Sequence, residues 1–122
     1  MSGSSVFCDT NIIVYLLDGD AHIAELLHGR DTRLSFITEL ELLSKEGLTP
    51  SERTRITSFL NQCTIMDITS AIKKRVIEIR QKTKVKLPDA IIGATAIDLN
   101  LPLLTADKRL EKIPGLHTVI FK

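Results

Sequence analysis

The spacing of apolar residues changes abruptly at Asp9, and the same change recurs down the chain. Val6, Phe7 and Cys8 form a short contiguous apolar run, the pattern of a buried strand. From Asn11 the apolar residues Ile12, Ile13, Tyr15, Leu16 and Leu17 fit a helix instead. Leu34-Ser35-Phe36-Ile37, Thr64-Ile65-Met66-Asp67, Leu101-Pro102-Leu103-Leu104-Thr105 and His117 to Phe121 read as further strands. Helical segments separate them: Asp20 to Leu27, closed by Gly29, one opening at Thr38, Ser51 to Asn61, Thr69 to Thr83, and Asp89 to about Asn100. Gly47-Leu48-Thr49-Pro50 breaks the chain, Asp107 to Leu110 is a turn of helix, and Ile113-Pro114-Gly115 is a turn. Strands that repeatedly alternate with helices imply an α/β fold, a mostly parallel sheet covered on both faces.

At 122 residues the chain has the size of one domain, and 1–122 is read as a single unit. With 43% hydrophobic and 25% charged residues it has the composition of a folded globular protein. No apolar run approaches the ~18 residues of a membrane helix. The start, Met1-Ser2-Gly3-Ser4-Ser5, has neither the basic nor the apolar region of a secretory signal. Cys8 and Cys63 have no CxxC spacing and lie in or beside apolar segments, so buried free thiols in a reducing cytoplasm are expected. His22, His28 and His117 are too scattered for a zinc site or a nucleophile triad. Net charge is +1, but Ile72 to Lys86 carries seven Lys or Arg against Glu78 alone. Such a run is usually a solvated helix face, and it can also be an electrostatic footprint for phosphates.

Four acids share one kind of location. Asp9 follows the first strand, Glu41 lies one turn into the helix after the second, Asp89 opens a helix after Leu87-Pro88, and Asp107 follows Leu103-Leu104-Thr105. Each has an ordinary structural account. Asp9 and Asp107 suit helix caps, and Asp89 suits the positive end of a helix. Glu41 has the capping-box spacing from Thr38, with Ile37 and Leu42 as the hydrophobic staple. These accounts do not explain why a parallel sheet would gather several such acids at its carboxyl edge, where ligands bind. Carboxylates brought together there either protonate or are neutralised by a cation. Hard oxygen donors without Cys or His select Mg²⁺ or Mn²⁺, which suits phosphodiester hydrolysis by metal-activated water. Asn11 and Thr105 are polar neighbours suited to orienting substrate or water, although each also fits a loop-capping role.

Other acid sites on related sheets are excluded. A haloacid-dehalogenase-type phosphatase needs a second Asp where Asn11 stands, and a receiver domain needs paired acids where Phe7-Cys8-Asp9 has one. No GxxxxGK phosphate loop is present.

Four stretches now resemble the PIN domain, in particular small bacterial toxins of the VapC type. They are Val6-Phe7-Cys8-Asp9-Thr10-Asn11, Ile37-Thr38-Glu39-Leu40-Glu41-Leu42-Leu43, Leu87-Pro88-Asp89-Ala90-Ile91-Ile92-Gly93-Ala94-Thr95-Ala96, and Leu103-Leu104-Thr105-Ala106-Asp107. A strand followed by Asp-Thr-Asn is common, whereas all four in this order are not. The resemblance implies a three-layer α/β/α sandwich of strand order 3-2-1-4-5 and a metal-dependent endoribonuclease. It further implies that Asp9, Glu41, Asp89 and Asp107 form the acidic quartet that holds Mg²⁺ or Mn²⁺, with Asn11 and Thr105 as its polar companions. Glu39, next to Glu41 in spacing, reads as a surface residue of the first helical turn. One departure is Lys108-Arg109-Leu110 after Asp107, where relatives often carry an aromatic. The resemblance also implies a cognate antitoxin and a homodimer.

The expected function is therefore hydrolysis of RNA by a toxin-type nuclease, with cations of the Ile72 to Lys86 flank on the RNA backbone. The alternative is a non-catalytic PIN-like module that binds RNA or protein. A flap-endonuclease-type DNA nuclease is less compatible, because the chain lacks length for a helical arch.

Overall fold

A computed structural model describes residues 4–121; Met1-Ser2-Gly3, read above for a secretory signal, and Lys122 lie outside them. Among the described residues five strands are formed: β1 (Ser5–Cys8), β2 (Asp31–Ser35), β3 (Thr64–Met66), β4 (Leu103–Thr105) and β5 (Thr118–Ile120). They make one sheet of order β3-β2-β1-β4-β5, and every pairing is parallel. The expected order 3-2-1-4-5 is thus observed.

Alternation along the strands creates the layers. Phe7 pairs with Leu103 and Cys8 with Leu104, so successive residues face opposite sides of the sheet. Phe7 and Leu103 enter a core with Ile72, Val76 and Ile79 of α5 (Ser70–Lys82) and the buried side of α6 (Leu87–Leu99). Cys8, Leu34 and Leu104 enter a second core. Its helices are α1 (Thr10–Leu17), α2 (Ala21–Leu27), α3 (Phe36–Leu43) and α4 (Pro50–Leu60). Two cores on the two faces of one sheet make the three-layer α/β/α arrangement. Ile12 and Ile13 are fully buried, while Tyr15 stays partly exposed against the Phe121 ring at 6.1 Å. Both sides of α1 are thus in use. Among the described residues no helix is long and apolar enough to cross a membrane.

Three expectations about local structure are corrected. β2 begins earlier and ends earlier than Leu34 to Ile37, at Asp31 and Ser35. Its first half, Asp31-Thr32-Arg33, is polar and hidden from a hydrophobic count, while Phe36-Ile37 is short enough to fit either period. Ser35 therefore caps α3, its hydroxyl accepting from the Ile37 amide at 3.1 Å. Thr38 falls inside the first turn, fully buried, and forms no capping box with Glu41. The capping box lies instead on α4, between Thr49 and Glu52, in both directions at 3.0 Å. In the same way Leu101 closes α6 rather than opening β4. Asn100 is left-handed at φ 55, and the Leu101 amide donates to the Ala96 carbonyl at 3.0 Å.

At Gly93 on α6 neighbouring side chains approach closely. A Cβ there would meet Ile113 Cδ1 at 2.8 Å, so the 3₁₀ segment Lys108–Lys112 and the residues after it seat tightly over α6. Both thiols are free. Burial pushes Cys8 up to about 12 and Cys63 up to about 11, which keeps both protonated.

Candidate functional site

β1 has β2 on one side and β4 on the other, so the strand order reverses at β1. Crevices open beyond the carboxyl ends of strands at such a switch point. The residues that leave β1 and β4 there are Asp9 and Ala106-Asp107. The sheet ladder carries on to this edge, with the Asp9 amide donating to the Leu104 carbonyl at 2.9 Å.

Asp9 is buried, 5% exposed, and both carboxylate oxygens are engaged. Oδ1 caps α1 by accepting from the Thr10 amide at 2.8 Å, and Oδ2 accepts from the Thr105 hydroxyl at 2.6 Å. Thr105 Oγ1 in turn accepts from the Asp107 amide at 3.0 Å, so one buried hydroxyl couples the β1 acid to the β4 acid. Asp107 caps the 3₁₀ segment through the Arg109 amide at 2.9 Å. The Arg109 guanidinium also closes over both Asp107 oxygens, with Nη2 at 2.7 Å from Oδ2. Hydrogen bonds from Arg109 hold the Asp107 carboxyl below the usual carboxylate range against its partial burial.

Glu41 reaches the same edge from α3. It is exposed, but one oxygen is fixed by the Thr10 hydroxyl at 2.6 Å. Thr10 Oγ1 also meets Thr38 Oγ1 at 2.9 Å. Thr10 thereby ties α1 to two successive turns of α3, because residues three apart share a helix face. Neither Thr10 nor Thr38 was singled out as a site residue from sequence. Thr38 looked like an ordinary cap, and only its spacing of three from Glu41 hints at a shared face. Glu39 is half-buried in the first turn of α3, in no hydrogen bond or ion pair among the described residues.

Asp89 arrives from the other core, in the first turn of α6 behind Pro88. Desolvation raises its pKa first, then the charges of Asp9 and Asp107, with Arg109 opposing and Glu41 adding. Asp9 is likewise raised, first by burial and further by Asp107 and Glu41, against the Thr105 and Thr10 hydrogen bonds that favour its charge. Asp89 therefore lies within electrostatic reach of the other three acids and Asp9 within that of Asp107 and Glu41, and Asp9, Asp89 and Asp107 stand at helix starts as caps or first-turn residues. Asn11 is exposed on the first turn of α1.

The donor set is chemically suited to a hard divalent cation: carboxylate oxygens, mutual repulsion, and no Cys or His among the four acids. Among the described residues no three side chains are gathered as a closed metal-binding group. Mg²⁺ does not need one, since it retains several waters and is commonly held by one or two carboxylates. The residues fit a largely hydrated ion better than a dehydrated cage.

Against known proteins, no curated sequence matches the chain. Solved structures do. One chain of a toxin–antitoxin complex from Klebsiella pneumoniae is 32% identical, with TM-score 0.80 over 93% of this chain and 95% of that one. Chains of VapBC2 from Rickettsia felis bound to a promoter DNA fragment and of DNA-bound VapBC from Salmonella typhimurium are each 23% identical with TM-score 0.85. They cover 97% and 96% of this chain, and 99% and 98% of theirs. At that identity the last two speak for the fold alone. The PIN domain family model matches residues 6–116, which include all four acids. This chain belongs to the PIN domain family.

Proposed function

We propose that the protein is a divalent-metal-dependent endoribonuclease, acting as the toxin of a toxin–antitoxin pair. The observation that carries this is the pair of acids at the sheet's switch point: burial raises the pKa of both Asp9 and Asp89, Asp107 and Glu41 raise both further, and Asp9 raises Asp89 as well. A fold does not keep repelling acids together without a use for their charge, and a bound cation removes the repulsion. In this reading Asp9, Glu41, Asp89 and Asp107 hold Mg²⁺ or Mn²⁺. Thr105 orients Asp9, Thr10 orients Glu41, and Asn11 faces substrate or water. When bound, the ion lowers the pKa of water and offsets charge developing on the phosphoryl group.

The toxin assignment is supported by the relative from Klebsiella pneumoniae, whose structure is a toxin–antitoxin complex. It carries with it a cognate antitoxin, RNA as substrate, a homodimer, a cytoplasmic setting, and the chain acting as one PIN unit. The test is cleavage of mixed RNA by the purified protein with Mn²⁺, with EDTA, and as the Asp9→Asn variant. Cleavage is expected in the first case and absent in the other two. Equal cleavage by repurified Asp9→Asn overturns the reading.

One observation favours the second reading, a non-catalytic binding module: Arg109 already neutralises Asp107. Calorimetric titration with Mn²⁺ separates them, because a module without an active site takes up no stoichiometric Mn²⁺ at neutral pH.

A further inference from the structure

Of the basic residues in the Ile72 to Lys86 segment, some line cavities and some do not. A cavity of about 230 Å³ begins at Asp89 and is bounded by Lys84, Lys86, Arg109 and Lys112. A second, about 450 Å³, shares Thr83, Lys84 and Lys112 with the first and adds Lys82. A third, about 280 Å³, shares Lys82 with the second and ends at Arg75, between α5 and Pro114-Gly115. The three follow one another from the acid cluster along the flank of α5.

Helix geometry explains the selection. Ile72, Val76 and Ile79 bury one stripe of α5. Arg75 and Lys82, seven apart, lie together on one side of that stripe, and Lys73 and Arg80, also seven apart, lie on the other. The first pair lines cavities; the second lines none of the three. Only two ion pairs form among the described residues, Arg33–Asp31 and Arg109–Asp107. Arg75, Lys82, Lys84, Lys86 and Lys112 therefore have no acidic partner within salt-bridge distance there. Glu78 is the one acid along the path beyond Asp89. No aromatic side chain lines any of the three cavities, so base stacking has no platform.

We propose that these cavities form one track for the sugar-phosphate backbone of single-stranded RNA, leading away from the acid cluster past Lys84, Lys112 and Lys82 to Arg75. The proposal rests on the nuclease reading for the identity of the polyanion. An RNA strand is favoured over an acidic polypeptide because the track starts at Asp89 itself. A strand with one phosphate at the acids continues directly onto the cations. Without stacking or base-edge contacts, binding is carried by phosphates, indifferent to sequence and strongly salt-dependent.

The experiment is fluorescence anisotropy of a labelled single-stranded uridine 12-mer in EDTA, titrated at several salt concentrations. Neutralising about four phosphates gives a slope of log K against log salt of about −3. K82E/K112E is expected to bind at least tenfold more weakly, with the slope shallower by about 1.4, two phosphates' worth. K73E/R80E has the same net charge and is expected to bind within about twofold of wild type. All four side chains are exposed, and unchanged melting temperatures verify that both variants fold. Equal losses in both doubles, or none in K82E/K112E, overturn the track. So does retained RNA binding by K82E/K112E together with lost binding of a polyglutamate peptide, which assigns the path to an acidic polypeptide. A wild-type protein that binds RNA this way but cuts nothing with Mn²⁺ supports the track and overturns the nuclease reading.

Discussion

The Thr10 hydroxyl donates to Glu41 Oε1 at 2.6 Å while touching Thr38 Oγ1 at 2.9 Å, joining the first turn of α1 to the exposed carboxylate of α3. An exposed glutamate otherwise samples several rotamers, so this contact sets where Glu41 presents its charge. Thr10→Val is expected to weaken Mn²⁺ binding and RNA cleavage by about 10- to 100-fold, the usual effect of losing an orienting partner. Thr10→Ser keeps the hydroxyl and should restore both. Calorimetric Mn²⁺ affinity distinguishes this from a general loss of packing, because a purely structural threonine would not show rescue by serine.

Asp89 combines two opposed consequences in one side chain. Its folded pKa is raised, so the folded state binds more protons than the unfolded one between the ordinary Asp value and the raised value. Stability from this group therefore falls as pH rises through that window. Asp89→Asn should abolish cleavage and yet raise the melting temperature at pH 7 by about 2 °C, from about 0.5 kcal/mol after discounting for partial exposure. The gain should disappear near pH 3, where the wild-type carboxyl is already neutral. A pair of melting curves at the two pH values checks it.

Arg109 covers Asp107 with a two-pronged contact although its own side chain is 74% exposed. A cation at the acid cluster must compete with that guanidinium. Arg109→Ala is expected to strengthen Mn²⁺ binding by about two- to fivefold, the scale of an exposed ion pair. The same variant should bind single-stranded RNA more weakly in EDTA, because it removes a cation from the first cavity. Opposite signs for metal and RNA identify the residue as a competitor for one and a contact for the other.

At the amino end of the sheet, Asp31 does for the fold what the site acids do not. It accepts from Ser5 of β1 at 3.2 Å, Arg33 of β2 at 2.9 Å and Thr64 of β3 at 3.1 Å, so one carboxylate clasps three strands. Arg33 foremost, with Thr64 and Ser5, lowers its pKa. A lowered folded pKa contributes stability above the ordinary Asp value and loses it as pH falls through the folded value. Asp31→Ala should cost about 0.5–1 kcal/mol at pH 7, reduced by solvent screening, and almost nothing at pH 2. RNA cleavage should be unchanged at temperatures well below the melt.

The alternation of strand and helix was legible in the chain because it rests on local spacing of apolar residues, and Val6-Phe7-Cys8 before Ile12-Ile13 shows it at once. The acids at strand ends were legible for the same reason: Asp9 and Asp107 stand where one period stops. The boundary of β2 was not legible, since the polar half Asp31-Thr32-Arg33 is held by pairing with β1 and β3, contacts distant in sequence. Nor was the use of Thr38, which looked like a cap until Ser35 took that place. What the sequence determined alone was the order of elements and the kind of chemistry four carboxylates without Cys or His can do. Tertiary structure decided which groups share a field. Asp9 meets Thr105 across a separation of 96 residues, and Thr10 meets Glu41 across 31. Coulomb and hydrogen-bond energies depend on distance in space, and only the crossing of β1 between β2 and β4 sets those distances.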